Sequence, residues 1–206
     1  MIDLYFWTTT NGYRARLILE ELGMPYNLHP VSLVKREQHS PEFLALSAGH
    51  KIPVIVDSDG PGGKKVTLSE SPAIMRYLAE KAKSPLIPTD PAKRIVMEQW
   101  FSYGCATFAM NLTQLNLFVN RFSEDLPSVK QHYDAEAKDM YGIIEKHLTG
   151  RDYFAGDYSL ADLAHYTYVR NYGPLKLSLD AYPNVKRWFD TVSARPAVQR
   201  AYAPIA

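Results

Sequence analysis

The chain has 206 residues, of which 46% are hydrophobic and 22% are charged, a composition typical of a globular protein with an apolar core. Its 23 lysine and arginine residues nearly balance 22 acidic residues, and the resulting net charge of +1 favours neither nucleic acid nor an anionic membrane as the main partner. No apolar run reaches the roughly 18 residues of a membrane-spanning helix, and the single cysteine, Cys105, excludes an intramolecular disulfide framework.

Strand and helix patterns alternate in the first part of the chain. Four segments predict strands: residues 2–7, 26–33, 51–56 and 65–68. A helix between the first two strands ends at Gly23, Ser40 caps a short second helix, and a third helix follows the last strand. A crossover helix joins the first two strands in parallel and a hairpin adds antiparallel strands, so the order predicts a thioredoxin-like α/β domain.

Composition and periodicity change after this domain. A proline-rich stretch leads to Asp90, which is typical of a helix cap because Pro91 follows it as the first helical residue. Beyond this point the pattern is helical throughout, and Ser159 and Asp162 are spaced as an acidic variant of the capping box. The sequence therefore predicts a second, all-helical domain. The predicted boundaries are 1–82 for the first domain, 83–91 for the linker and 92–206 for the second domain.

The polar break after the first strand is one candidate site. Residues 8–10 are threonines, and Asn11 follows them where a helix begins. The N–H groups and the dipole of a helix N-terminus favour an anion. Hydroxyl and amide donors aimed at a thiol favour its thiolate, and each unit of lowered pKa corresponds to about 1.4 kcal/mol. Taken alone, the same cluster is more simply explained by plain helix capping.

Pro53, in the segment Lys51-Ile52-Pro53, is a second candidate feature. If the peptide bond before it is cis, the backbone of Ile52 faces outward and can pair with an extended peptide as an added strand. Lys51 then supplies a cation for a carboxylate. A proline that only starts an edge strand is the alternative explanation of the same pattern.

Glu70 and Ser71 form a third feature, an acid and a hydroxyl at another helix N-terminus. Glu70 can accept from an ammonium group, while Ser71 and the helix N–H groups hold a neighbouring carboxylate. A γ-glutamyl amino acid presents both groups together. The alternative is again a cap, with Ser71 standing before Pro72.

Together these features resemble the glutathione transferase superfamily over nearly the whole chain, and most closely its bacterial nu class and the related fungal nitrogen regulator. The motifs that carry the resemblance are the opening LYF with the following threonine and Asn-Gly, the KIP segment with its cis proline, the ESPAI helix start and the YSLADLA capping box. The resemblance implies a thioredoxin-like N-terminal domain, an all-α C-terminal domain, glutathione as cosubstrate and a homodimer. Residues 1–7 lack the basic start and apolar stretch of a signal peptide, so we expect a cytoplasmic location.

The resemblance also implies a role for individual residues. Thr9 and Asn11 would activate the glutathione sulfur in place of a protein thiol. The implied glutathione-binding residues are Gln38 and Lys51 at the glycine end, Ile52 and Pro53 along the peptide, and Glu70 and Ser71 at the γ-glutamyl end. One departure concerns the second domain, where near relatives tend to carry an arginine close to the bound disulfide and this chain has His132.

The function that the resemblance implies is glutathione-dependent reduction of disulfide bonds with weak transferase activity. Two alternatives stay open: a conventional transferase that conjugates hydrophobic electrophiles, and a non-enzymatic binding or regulatory module on the same scaffold. The expected partners are glutathione and a disulfide or an electrophile, with no nucleic acid and no membrane.

Two further residues invite a chemical role. Tyr5 is near the position where some transferase classes place a tyrosine donor, but we expect it to pack within the first strand. Cys105 lies among aromatic residues on an expected helix, so we expect a buried, inert thiol. The six histidines show no paired ligand spacing, and we expect no metal.

Overall fold

The computed structural model describes residues 1–205, which fall into two compact units. The first unit contains Met1–Ser84 together with the segment from Arg195 onward, and the second unit is Pro85–Ala194. Over the described residues, no helix combines the length and the apolar character that crossing a membrane requires.

The first unit is built on a four-stranded mixed sheet. Its strands are β1 (Ile2–Phe6), β2 (Tyr26–Pro30), β3 (Val54–Asp57) and β4 (Val66–Ser69), in the order β2-β1-β3-β4. β1 and β2 run parallel with Leu4 opposite Leu28, while β3 is antiparallel to both β1 and β4. The helices that follow these strands are α1 (Thr10–Leu22), α2 (Pro41–Leu44) and α3 (Ser71–Lys81). This order confirms the predicted thioredoxin-like arrangement.

Alternation along β1 separates the two faces of the sheet. Leu4 and Phe6 are fully buried, and the Phe6 ring contacts the ring of Tyr13 on α1, with centroids 5.3 Å apart. Asp3 and Tyr5, which point the other way, are only half-buried. The third predicted strand begins at Val54 and not at residue 51, in keeping with the missing N–H of Pro53, which cannot donate to a sheet.

The second unit is built from helices joined by loops. Its helices are α4 (Pro91–Tyr103), α5 (Ala109–Asn120), α6 (Pro127–His147), α7 (Leu160–Val169) and α8 (Pro183–Ser193), with a π-helical turn (Gly104–Phe108) between α4 and α5. α7 is buried at every residue and forms the centre of the unit. Asp90 Oδ1 caps α4 by accepting from the Lys93 N–H at 2.8 Å, and Ser159 and Asp162 form the capping box of α7, as predicted.

The last helix, α9 (Pro196–Ala201), belongs to the first unit and not to the helical domain that the sequence predicted for it. Arg195 makes a bidentate ion pair with Glu21 of α1, with both N–O distances at 2.8 Å. Tyr202 stacks on Tyr13, with ring centroids 4.1 Å apart. Helical periodicity reports only that a segment is a helix, so these side-chain pairings were not visible in the pattern.

Gly104 packs closely against His165 of α7 in the second unit. A Cβ built on it would lie 2.7 Å from Cε1 and Nδ1 of His165. His165 is fully buried, and its Nδ1 lies 2.8 Å from the carbonyl oxygen of Ala161, so the ring has little room to move. We expect Gly104→Ala to lower the free energy of unfolding by about 1–3 kcal/mol because of overpacking.

Gly142 in α6 is the matched control for this prediction, because a Cβ there meets nothing within 4 Å. We expect Gly142→Ala to raise the free energy of unfolding by about 0.5–1 kcal/mol through helix propensity alone. Urea unfolding of both variants measures the difference. Equal effects of the two substitutions would show that His165 yields to the added methyl group.

Candidate active site

Thr9 is the N-cap of α1. Its backbone is extended, with φ −121° and ψ 160°, and its Oγ1 accepts a hydrogen bond from the Gly12 N–H at 3.1 Å. The cap uses a lone pair of the hydroxyl oxygen, so the hydroxyl proton can still donate to a ligand. Glycine is needed at position 12, since a Cβ there would lie 2.1 Å from the carbonyl oxygen of Trp7. The capping role and the donor role of Thr9 are therefore compatible.

Asn11 lies in the first turn of α1, and a buried arginine holds its amide. Arg14, only 1% exposed, donates from Nη1 to Asn11 Oδ1 at 3.1 Å. Because the amide oxygen accepts from this guanidinium, the amide nitrogen is the end with which Asn11 can donate to a ligand. A fixed cation behind such a donor favours an anion in front of it.

α3 begins next to this point. Its first residue, Ser71, is buried, and Ser71 Oγ donates to Asn11 Oδ1 at 3.5 Å. Glu70, just before it, is exposed and has a φ of 69°, in the left-handed region that side chains adopt only at a cost. Non-glycine residues in such conformations cluster at ligand sites. The structure thus brings Asn11, Glu70 and Ser71 together where two helices of the first unit begin.

The segment before β3 carries the expected proline geometry. The Ile52–Pro53 peptide bond is cis, which confirms that part of the resemblance. Ile52 is half-buried and packs on a small apolar cluster, the members of which are Val31, Phe43 and Val54. The apolar side chain of Ile52 thus anchors this segment to the sheet.

Gln38 and Lys51 come from neighbouring loops. Gln38 lies in a short 3-10 turn, and the ring of His39 after it is 4.9 Å from the ring of His50, which precedes Lys51. Burial, followed by the neighbouring positive charges, lowers the pKa of His39. Gln38 Oε1 is buried and accepts no hydrogen bond within the described part of the chain. Arg36 and Lys51 therefore supply positive charge near His39, next to the Gln38 carbonyl that lacks a donor.

The remaining candidates lie elsewhere. Tyr5 is packed, as expected, and its ring stacks on His29 with centroids 4.8 Å apart. Cys105 lies in the π-helical turn and is partly exposed, so the expectation of a buried thiol was wrong: the aromatic side chains around it in sequence turn into the core and leave it at the edge. His132 is an exposed residue of α6 in the second unit. Among residues 1–205, no cluster of three or more potential ligand side chains could hold a metal ion.

Comparison with known proteins identifies the family. Residues 11–81 match the model of the glutathione S-transferase N-terminal domain, and residues 113–196 match that of the glutathione S-transferase C-terminal domain. The chain belongs to the glutathione transferase family. It is an enzyme of that family, with the two-domain fold that the sequence predicted.

Individual relatives cover almost the whole chain. It is 36% identical to the disulfide-bond oxidoreductase YfcG of Escherichia coli, over 98% of this chain and 94% of that protein. A Pseudomonas putida glutathione transferase, solved with one glutathione disulfide per subunit, superposes with a TM-score of 0.94 at 35% identity, over 99% of this chain and 92% of that one. A Burkholderia graminis transferase with two bound glutathione molecules superposes with a TM-score of 0.91 at 37% identity, over 97% and 86% of the two chains.

Sequence reasoning did not find Arg14. An arginine on a helix usually extends into solvent. The one sequence signal for a role of Arg14 was its three-residue spacing from Asn11, because this spacing puts both side chains on one face of the helix. Its burial follows from the packing of α1 against the sheet and α3, which a single-sequence pattern does not describe.

Proposed function

We propose that this enzyme binds glutathione in its first unit and uses it to reduce disulfide bonds. Thr9 and Asn11 hold the sulfur by donating hydrogen bonds to it. The other contacts are Glu70 and Ser71 to the γ-glutamyl group, Ile52 before Pro53 to the peptide backbone, and Gln38 and Lys51 to the glycine carboxylate.

One observation carries the proposal: Ser71 Oγ lies 3.5 Å from Asn11 Oδ1. This contact puts the groups proposed for the γ-glutamyl end and for the sulfur side by side, at two helix N-termini that each favour negative charge. The relatives support the choice of ligand and reaction, since one is named a disulfide-bond oxidoreductase and two were solved with glutathione or its disulfide.

The reaction is thiol–disulfide exchange in two steps, both carried by glutathione. The bound thiolate attacks one sulfur of the substrate disulfide, which forms a mixed disulfide and releases the other sulfur as a thiolate that takes up a proton. A second glutathione thiolate then attacks the glutathione sulfur of the mixed disulfide, giving glutathione disulfide and the second substrate thiol. The protein favours the thiolate through its donors and the helix dipole, and no protein cysteine takes part.

Thr9→Asp separates the two roles of Thr9. Aspartate caps a helix as well as threonine does, so we expect the free energy of unfolding to change by less than about 0.5 kcal/mol. Aspartate has no hydroxyl proton to donate and places a negative charge beside the thiolate, so we expect the thiol pKa to rise by about one unit or more and turnover at neutral pH to fall about tenfold or more. The pH profile of kcat/KM with a small dialkyl disulfide measures both effects.

Thr8→Asp is the control. Thr8 is exposed, and this substitution adds the same negative charge one residue before Thr9. Thr8→Asp should retain most of the wild-type turnover.

The alanine variants Thr9→Ala and Asn11→Ala separate binding from turnover. Their glutathione affinity, measured by calorimetry, should remain close to wild type, while their turnover should be largely lost. Unchanged turnover in both alanine variants would refute the roles of Thr9 and Asn11.

The proposal extends to the oligomeric state, the cellular location and the second substrate of the enzyme. We propose a homodimer, a cytoplasmic location, weak transferase activity and a contact from His132 to the second substrate. Turnover of a chlorinated nitroaromatic, compared with that of the dialkyl disulfide, separates conjugation from disulfide reduction. A higher rate with the nitroaromatic would favour the conventional transferase. Light scattering after size-exclusion chromatography tests the dimer.

A further inference from the structure

A separate cavity of about 420 Å³ opens in the first unit. Tyr5 of β1 lines it, and Tyr5 points to the face of the sheet opposite the one that Phe6 shares with α1. The other walls come from β2 and from α2 with the residues that flank it. Cavities of this size hold small molecules, and none of the residues proposed above to bind glutathione lines this one.

The interior of the cavity is aromatic. The rings of Tyr5 and His29 stack at 4.8 Å, and the ring of Phe43 meets Tyr5 edge-on at 6.4 Å. His29 Nε2 lies 3.0 Å from Asp3 Oδ1, so this imidazole is paired with a carboxylate. The electron-rich faces of tyrosine and phenylalanine attract cations within about 6 Å.

Two carboxylates stand at the mouth of the cavity. Glu37 and Glu42 both line it and are both exposed. Glu37 Oε2 accepts from the Ser32 N–H at 2.7 Å, which fixes that side chain. The Glu42 backbone N–H and then the Ser40 hydroxyl lower the pKa of Glu42, so this carboxylate is charged at neutral pH.

We propose that this cavity is a binding site for a small organic cation, an ammonium group carried on an aryl stem. The stem packs among Tyr5, His29 and Phe43, and the ammonium group lies between the aromatic faces and the two glutamates. Glutathione carries two carboxylates and one ammonium group, and the glutamates disfavour a ligand of that net charge. The site is therefore distinct in chemistry from the proposed glutathione site.

Titration of the full-length, ¹⁵N-labelled protein with phenethyltrimethylammonium tests the proposal. This probe keeps its charge at every pH, and 3-phenylpropionate and 2-phenylethanol are its anionic and neutral counterparts. We expect saturable shifts confined to β1, β2 and α2 with the cation, and weaker binding of both counterparts. The same shifts should appear when S-methylglutathione is present at saturation, because the two ligands occupy different sites.

Glu42→Gln should weaken binding of the cation about threefold to fivefold, and the double variant Glu37→Gln, Glu42→Gln should weaken it further. Glu124→Gln, which changes an exposed glutamate of the second unit, should leave it unchanged. The proposal is overturned if the cation fails to saturate by about 10 mM, if the anion binds equally well, or if Glu42→Gln has no effect. Glutathione binding to the same samples reports the proposed function independently.

Discussion

Asp162→Ala is expected to lower the free energy of unfolding by about 4 kcal/mol. Asp162 is fully buried, and its Oδ1 accepts from the Phe154 N–H at 3.2 Å and from Trp188 Nε1 at 2.8 Å. Its Oδ2 accepts from the N–H and the hydroxyl of Ser159 at 2.9 and 3.1 Å. Alanine would leave these buried donors without an acceptor, and each such group costs about 1–3 kcal/mol.

Ser159→Ala is the graded control, because it removes one hydroxyl and leaves the carboxylate with its other donors. We expect it to cost only about 1 kcal/mol, the usual value for a lost cap. Urea unfolding, followed by tryptophan fluorescence, measures both variants. If the two substitutions cost the same, the carboxylate of Asp162 is not the centre of this network.

We also expect the buried carboxyl group of Asp162 to make the free energy of unfolding depend on pH. Burial raises its pKa to about 6, although four donors favour the charged form. The pKa of Asp162 is higher in the folded state than in the unfolded state, so near pH 5 the folded state binds a proton that the unfolded state has lost. The contribution of Asp162 to stability therefore falls as pH rises through 6. Relative to Asp162→Asn, which does not titrate, wild type should gain about 1 kcal/mol at pH 5 compared with pH 7.5.

Arg14→Met is expected to lower turnover by roughly tenfold to a hundredfold. Arg14 lies directly behind the Asn11 amide that we propose to hold the sulfur. At an effective dielectric constant of about 20, a positive charge about 8 Å from a thiolate stabilises it by about 2 kcal/mol. Methionine loses this charge and also the hydrogen bond that orients the Asn11 amide. The bell-shaped or sigmoidal pH profile of kcat/KM should shift to higher pH by about one unit.

Arg14→Lys is the matched variant, since lysine keeps the charge but lacks the guanidinium fork. We expect it to restore most of the pH profile but only part of the turnover. A purely structural role for Arg14 would instead lower stability in both variants and leave the pH profile in place. Arg14→Met removes a buried hydrogen-bonding group, so urea unfolding of both variants is measured beside turnover, and the rates are compared at a pH and temperature where both variants are folded.

Helix caps and strand composition, which are local sequence signals, predicted much of the fold. Ser40, Asp90 and the pair Ser159 and Asp162 each cap the helix that they were predicted to cap. Branched and aromatic residues marked the strands to within a few residues. Caps and strand patterns are local, so a single sequence carries them.

Long-range packing was less predictable. The return of α9 to the first unit depends on Arg195 meeting Glu21, a pair 174 residues apart, which no periodicity encodes. The π-helical turn at Gly104–Phe108 was also missed, because its sequence continues the helical pattern on either side.

The candidate site was partly predictable for the same reasons. Asn11, Glu70 and Ser71 could be placed at two helix N-termini from sequence, and the structure adds that these N-termini meet. Arg14 could not be found in this way, because nothing in an arginine at that spacing says that it is buried.

A crystal structure with bound glutathione disulfide would reveal the proposed sulfur and γ-glutamyl contacts in one experiment. We expect one sulfur within hydrogen-bonding distance of Thr9 Oγ1 or Asn11 Nδ2, with the γ-glutamyl carboxylate on Ser71 at the start of α3. A tripeptide bound elsewhere on the chain, or bound here with its sulfur turned away from both residues, would contradict the proposal.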